Sequence, residues 1–242
     1  MTQPHLQSHI GTLPEITRTG PRKPSQTDDA YARLKGMIIS GEIGPADQID
    51  ARKLADGHKL GRTPVREALL RLQTEGIVRI VPKRGVQIVT LSADDITEIY
   101  QIISAVEIEA VRLLTLTTPS KQDLSPLAAA TERMTAAAKA DDREAWVSAD
   151  EDFHRGLLKL NPNRRLCDVG LLHRDLAQRG HFVALRLLGP DQLATSARRH
   201  RKLIKLIAAG DASAAVAEHR LQRERGQTML IGILLKYRMT HL

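Results

Sequence analysis

The sequence predicts a mainly α-helical protein in two parts: three helices and a short hairpin, then an all-α bundle of six or seven helices. Three observations carry this. Only six of the 242 residues are Phe, Trp or Tyr, while alanine and leucine abound, a composition that favours helix over sheet. The β-branched runs gather in one place, between Ile77 and Val89, and elsewhere apolar residues recur at helical spacing. Breakers at Gly41, Gly44-Pro45, Gly61, Pro119, Asn161-Pro162, Gly189-Pro190 and Gly210 cut that pattern into helices of ordinary length.

Residues 1–27 are rich in Pro, Thr, Ser and Gly without sustained periodicity and read as a mobile tail. A first helix follows from about Asp29 to Ser40, with Asp28 near its cap, Gly41 at its stop and an apolar stripe of Tyr31, Leu34, Ile38 and Ile39. After a turn at Gly44 to Asp47, a second helix covers Ala51 to His58, led by Asp50 as N-cap and burying Leu54 and Ala55. In the third helix Thr63 is the expected cap and Pro64 the first helical residue, where its missing N–H costs nothing. Glu67 is expected in its first turn, and Val65, Ala68, Leu69 and Leu72 form the buried face. Ile77–Val81 and Val86–Val89 then pair around the tip Pro82-Lys83-Arg84-Gly85.

That succession over residues 28–91 is a winged helix-turn-helix. From Ser92 onward the pattern is helical. Ser92 caps a helix to about Thr117, with Ile96, Ile99, Ile103, Val106 and Ala110 on one face. Further helices are expected near 123–139, 142–160, 164–187, 191–209 and 212–237, giving residues 92–242 a core of their own.

Composition narrows the function. The net charge of +8 is uneven: residues 50–84 hold nine basic and four acidic side chains, which suits a polyanion such as duplex DNA. Scarce aromatics argue against a base-stacking surface for single strands or RNA. One cysteine, Cys167, excludes an internal disulfide framework and a Cys-rich zinc ribbon. The best apolar run, Met229 to Leu235, falls far short of a membrane span, and the N-terminus lacks the pattern of a signal peptide. A soluble, cytoplasmic protein with no membrane partner is expected.

In a winged helix-turn-helix the third helix enters the major groove with its N-terminal side chains at the base edges. Arg62 and Arg66 sit there one turn apart, and arginine can grip guanine O6 and N7 with two hydrogen bonds. Thr63 can donate its hydroxyl to a phosphate, and Arg52 is placed to hold backbone or base. Lys83 and Arg84 at the wing tip can reach the minor groove, with Gly85 permitting close approach. Arg62-Thr63-Pro64-Val65-Arg66-Glu67-Ala68-Leu69, Leu72, Glu75-Gly76-Ile77-Val78 and Pro82-Lys83-Arg84-Gly85 closely resemble the DNA-binding module of GntR-family transcription regulators. Ile38 to Gly41 and Pro45 match the same family. Gly61 departs from it, standing where the family usually has a hydroxyl residue.

Asp150 and His154, four residues apart, share one helix face. His200 and His219 lie on two later helices separated by a Gly210-Asp211 turn, so antiparallel packing can bring them together. One carboxylate and three imidazoles suit Zn²⁺, Mn²⁺ or Ni²⁺, with zinc favoured, and leave room for water or an anionic ligand. Asp150 to His154, Asn161-Pro162, Ser196 to His200, Gly210-Asp211 and His219 resemble the FCD effector domain of the FadR-like branch over about residues 93–236. The resemblance implies that Asp150, His154, His200 and His219 bind a metal beside which small carboxylates dock. His58, His173 and His181 read as surface histidines. Two departures stand out: Ile103 and Ser104 follow Tyr100-Gln101-Ile102 where the family presents an arginine, and Arg199 precedes His200 where an acid is common.

The reading is a dimeric, ligand-responsive transcription regulator, most often a repressor in this family, that binds a palindromic operator. Its effector is a small molecule, expected to be an organic acid, though the residues that hold it are not legible. Two alternatives remain open at this level. One is a metal-dependent hydrolase or lyase with an accessory DNA-binding module; no general base is evident beside the ligand set, and no catalytic motif of the common kinds is present. The other is a nonspecific architectural DNA binder.

Overall fold

A computed structural model describes residues 23–44, 49–82, 85–185 and 187–236. Among them are nine helices and one two-stranded sheet. Helix α1 (Gln26–Ser40) begins earlier than expected because Ser25, not Asp28, is its N-cap. Asp28 instead closes a capping box, its carboxylate accepting from the Ser25 amide at 3.0 Å. The helix stops at Gly41, whose φ of +79° is cheap only for glycine. Helix α2 (Ala51–Gly57) is capped by Asp50 as the sequence indicates.

Helix α3 (Arg62–Thr74) corrects one expectation. Its N-cap is Gly61 with no side-chain cap, so Thr63 lies inside the first turn and Glu67 in the second. Glu67 accepts from the Thr27 hydroxyl at 2.6 Å and so ties α3 to the start of α1. The buried face is the predicted one, Val65, Ala68, Leu69 and Leu72.

Strands β1 (Val78–Val81) and β2 (Gly85–Ile88) are antiparallel, with Val78 opposite Ile88 and Val81 opposite Gly85. Ile49 adds a bridge to Val86, fastening the segment before α2 to the hairpin. Gly85 has φ +84°, and a Cβ there would fall 2.8 Å from the Ile49 carbonyl oxygen. That close approach explains the glycine. The tip residues Lys83 and Arg84, Pro45, and the tail through residue 22 lie outside the described residues.

The bundle consists of α4 (Ala93–Leu116), α5 (Ser125–Ala140), α6 (Arg143–Lys159), α7 (Arg164–Leu185), α8 (Pro190–Ala208) and α9 (Ala212–Lys236). Ser92 and Asp95 form a capping box at the start of α4. α5 packs on α6 and α8, while α4 lies between α7 and α9. One apolar core joins α1, α2, α3 and the hairpin, and three further clusters fill the bundle. On α4 the buried face runs Ile96, Ile99, Tyr100, Ile103, Glu107, Ala110, Val111 and Leu114. Val106 is only half-buried, and Glu107 takes the inward place.

Candidate metal centre and nucleic-acid interface

Arg62, Thr63 and Arg66 are exposed on the first two turns of α3, the end of that helix nearest α2. Arg62 meets Asp56 at 3.6 Å, but both side chains are mostly solvated, so a phosphate can displace the acid. Asp50 accepts from the amides of Arg52 and Lys53 at 2.8 and 3.4 Å, which fixes the first turn of α2 with both cationic side chains exposed. Lys53 and Arg66 line a groove whose far wall is Ile80, Pro82 and exposed Gly85. Lys53 escaped the sequence reading because a lone exposed lysine on a short helix has no distinguishing pattern. The helix start at Arg62, with free amides and two exposed guanidinium groups, is suited to an anionic backbone.

In the bundle, Asp150 and His154 on α6 and His200 on α8 converge and are buried. His200 Nε2 lies 3.3 Å from His154 Nε2 and 3.5 Å from Asp150 Oδ1, and His154 Nε2 is 3.9 Å from the same oxygen. The outer nitrogen of His200 fixes its tautomer. His200 Nδ1 is 2.8 Å from the Ser196 carbonyl oxygen and therefore donates to it. His154 Nδ1 is 3.1 Å from Glu107 Oε2 but lacks hydrogen-bond geometry toward it, so the contact is one of proximity and charge. The His200 Nε2 lone pair thus points at His154 Nε2 and at a carboxylate, an arrangement that calls for a cation or a proton between them. Burial pushes the Asp150 carboxyl up to about 7 and the His200 imidazole down to about 4.

These donors fit a small divalent ion. Metal–ligand bonds of about 2.0–2.2 Å at tetrahedral angles separate donor atoms by roughly 3.3–3.6 Å, a range met by the two His200 separations, while the His154–Asp150 separation of 3.9 Å exceeds it. His219 on α9 is placed differently from the other three. It is buried beside His154, ring centroids 6.0 Å apart, yet its Nε2 lies 3.1 Å from Glu107 Oε2 and it is outside the Asp150–His154–His200 cluster.

Glu107 is the residue the sequence reading missed. Fully buried, it receives Arg174 Nη1 on Oε1 at 2.7 Å and Arg223 Nη1 on Oε2 at 2.8 Å. Burial alone would raise its pKa, but His154, Arg223 and Arg174 more than offset that and keep it well below the usual carboxylate range. A signal existed: an acid on the apolar stripe of α4, four residues after Ile103 and three before Ala110.

A cavity of about 400 Å³ opens over this cluster. Asp150, His154 and His200 form part of its wall, Trp146 and Met229 an apolar part, and Arg199, Arg223 and Arg225 a cationic part. Arg199 and Arg225 make no ion pair within 4 Å among the described residues, and with Arg223 they outnumber Asp191 on the wall, so the cavity carries more cations than acids beside the candidate metal ligands.

Residues 98–221, more than half of the chain, match the FCD domain, and residues 26–88 match the bacterial regulatory proteins of the gntR family. The chain belongs to the GntR family. Its relatives include an uncharacterized HTH-type transcriptional regulator in the TAR-I ttuE-ttuC' intergenic region of Agrobacterium vitis, 36% identical over 60% of this chain and 86% of the relative. The HTH-type transcriptional repressor GlaR of Escherichia coli K12 is 26% identical over 77% of this chain and 87% of its own. Among solved structures, E. coli McbR/YncC shares the fold with a TM-score of 0.75 at 22% identity, over 86% of this chain and 98% of that one. A GntR regulator from Rhodococcus sp. RHA1 has a TM-score of 0.71 at 25% identity, over 86% and 99%. These are transcription regulators, and so is this GntR protein; the metalloenzyme alternative is set aside with them.

The structure also shows what stands at the positions where the sequence departs from the family's usual arginine. Ile103 is fully buried, and the Ser104 hydroxyl beside it is buried without a hydrogen-bond partner, so α4 brings no cation inward at these positions. Arg174 on α7 and Arg223 on α9 supply the cations that face Glu107 instead. No helix among the described residues is long and apolar enough to cross a membrane.

Proposed function

We propose that this GntR-family protein is a ligand-responsive repressor, acting in the cytoplasm, that binds a palindromic operator as a homodimer and senses a small organic acid in the bundle cavity. The observation that carries the sensing half is the facing trio of Asp150, His154 and His200 in the wall of a cavity that also presents Arg199, Arg223 and Arg225. When bound, a divalent ion, zinc by preference, supplies a charge to which a carboxylate oxygen can coordinate. Arg199 and Arg225 attract the anion, Arg223 sits closest to the buried acid network, and Trp146 and Met229 receive an apolar body. His219 joins the ligand set in this proposal by turning from Glu107, which lies within hydrogen-bond reach of its Nε2.

The DNA-reading half rests on Arg62, Thr63 and Arg66 at the exposed start of α3, supported by Arg52 and by Gly85, Lys83 and Arg84 of the wing. A relative named as a repressor supports the direction of control, and two-fold symmetry suits two such helices on a palindrome.

Elemental mass spectrometry of freshly purified protein and of His200→Ala tests the sensing half. About one divalent ion per chain, lost in the variant, is expected. Protein that takes up no Zn²⁺, Mn²⁺ or Ni²⁺ refutes the metal site and leaves the cationic cavity as a metal-independent anion receptor.

A further inference from the structure

From the cavity to the DNA-binding module runs an unbroken series of alternating charges. Glu107 holds Arg174 at 2.7 Å, and Arg174 grips Glu151 through Nη2 at 2.5 Å and Nε at 3.2 Å. Glu151 Oε1 holds Arg155 Nε at 2.6 Å, and Arg155 Nη2 bonds Asp175. Asp175 Oδ2 then takes Lys35 Nζ at 2.5 Å, and Lys35 also reaches Glu75 at 2.8 Å. The series passes from α4 to α7, to α6, back to α7, across to α1 and on to Glu75, the C-cap residue of α3. Its cavity end is Arg223, shared between Glu107 and the cavity wall.

We propose that this series of ion pairs couples occupation of the cavity to the seating of α1 and α3 against α7. The inference rests on the cavity being the effector site and deepens that reading by naming how the site is heard. Arg174, Arg155 and Lys35 are each shared between two acids, so loosening one bond strengthens the next in alternation. The side chains are largely withdrawn from water, where such pairs are weakly screened. The bistable element is Lys35. With Glu75 in its own module, Lys35 can leave Asp175 and remain paired, giving a bridged and a withdrawn state. The alternation fixes a sign. Weakening Arg223 on Glu107 makes Glu107 draw harder on Arg174, Glu151 on Arg155, and Asp175 on Lys35, so the bridge tightens. A carboxylate that takes Arg223 acts in the same direction. A cation on His154 Nε2 makes the ring, whose Nδ1 is 3.1 Å from Glu107 Oε2, more positive and acts in the opposite one.

Hydrogen exchange of the full chain, followed by mass spectrometry, tests this without knowing the effector or the operator. Arg223→Lys is expected to slow exchange in α1 and the last turn of α3 about tenfold, a coupling of ordinary size. The same substitution in a Lys35→Gln background is expected to leave those amides unchanged. Should Arg223→Lys fail to fold by circular dichroism, Arg155→Lys, on a partly exposed side chain, takes its place with the same sign. No change in α1, faster exchange, or an equal change in both backgrounds overturns the coupling.

Zn²⁺ added to chelator-stripped protein is the second arm, with uptake read by elemental analysis. Bound zinc that speeds exchange in α1 supports the proposal, and bound zinc that leaves α1 unmoved overturns it. Zinc that does not bind refutes the metal reading alone, and the Arg223 cycle then decides the coupling.

Discussion

Among the described residues between Gln26 and Ile88, every buried side chain is apolar, whereas the bundle buries Glu107, Asp150, Glu151, Arg174, Asp175, Arg223 and three histidines. Both regions are mostly helical and both keep their caps. They differ in what holds their interiors together. The first is closed by non-directional burial of Leu34, Ile38, Val65 and Leu72, so its surface is free to carry cations for a polyanion. The second encloses a charged network inside an apolar shell, which contributes little net stability but fixes which acid faces which cation. An apolar module thus sits beside a bundle whose interior is built on paired charge.

The largest effect that would test this contrast is Arg174→Met. It leaves Glu107 and Glu151 buried with one guanidinium fewer, and breaking such a network costs about 3–5 kcal/mol. Urea unfolding followed by fluorescence reads it cleanly, since Trp146 is the single tryptophan and lies in the bundle. A loss under about 1 kcal/mol would mean the network is already solvated and the contrast is false.

Next comes Leu72→Ala on the apolar side. Leu72 is fully buried in α3, and its truncation costs about 2–5 kcal/mol. Far-ultraviolet circular dichroism should show an early transition that Trp146 fluorescence does not. Coincident transitions would show instead that the two regions unfold as one unit, bound by the Lys35–Asp175 bridge and the packing of Leu176 on the N-terminal core.

Arg66→Ala sharpens the comparison from the surface. Exposed and without an ion-pair partner among the described residues, Arg66 should cost about 1–3 kcal/mol of operator affinity when lost, with no change in urea midpoint. Equal weakening on operator and random DNA would reduce it to a phosphate contact.

The same contrast explains what could be read from the sequence. Much of the apolar module was legible, because periodicity reports burial: Val65, Ala68, Leu69 and Leu72 occupy the predicted face, the first hairpin strand starts one residue late and the second is displaced by one residue at both ends. Asp150 and His154 share a face as their spacing requires, and they meet His200 across α8. Glu107 left one trace, its place on the apolar stripe of α4, whereas Arg174 and Arg223 were not legible. Each is a charged residue on a helix in a chain where such residues are usually solvated, and only tertiary packing turns them inward. The missed cap at Gly61 has a local cause. Glycine serves at an N-cap through its backbone alone, so Thr63 seemed the better candidate.

The smallest predicted effect lies where the two regions join. Ser92 follows the hairpin and caps α4, its hydroxyl accepting from the Asp95 amide at 3.1 Å while Asp95 accepts from the Ser92 amide at 2.8 Å. Ser92→Ala removes one arm of that box and should cost about 1 kcal/mol. The cost should fall on the bundle and shift the Trp146 transition, because α4 packs on α7 and α9. Ser92→Thr, which keeps the oxygen, should restore most of it. If Ser92→Ala instead moves only the circular dichroism transition, the start of α4 belongs energetically to the winged module. The boundary between the apolar module and the charged bundle would then fall inside α4, between Ser92 and Glu107.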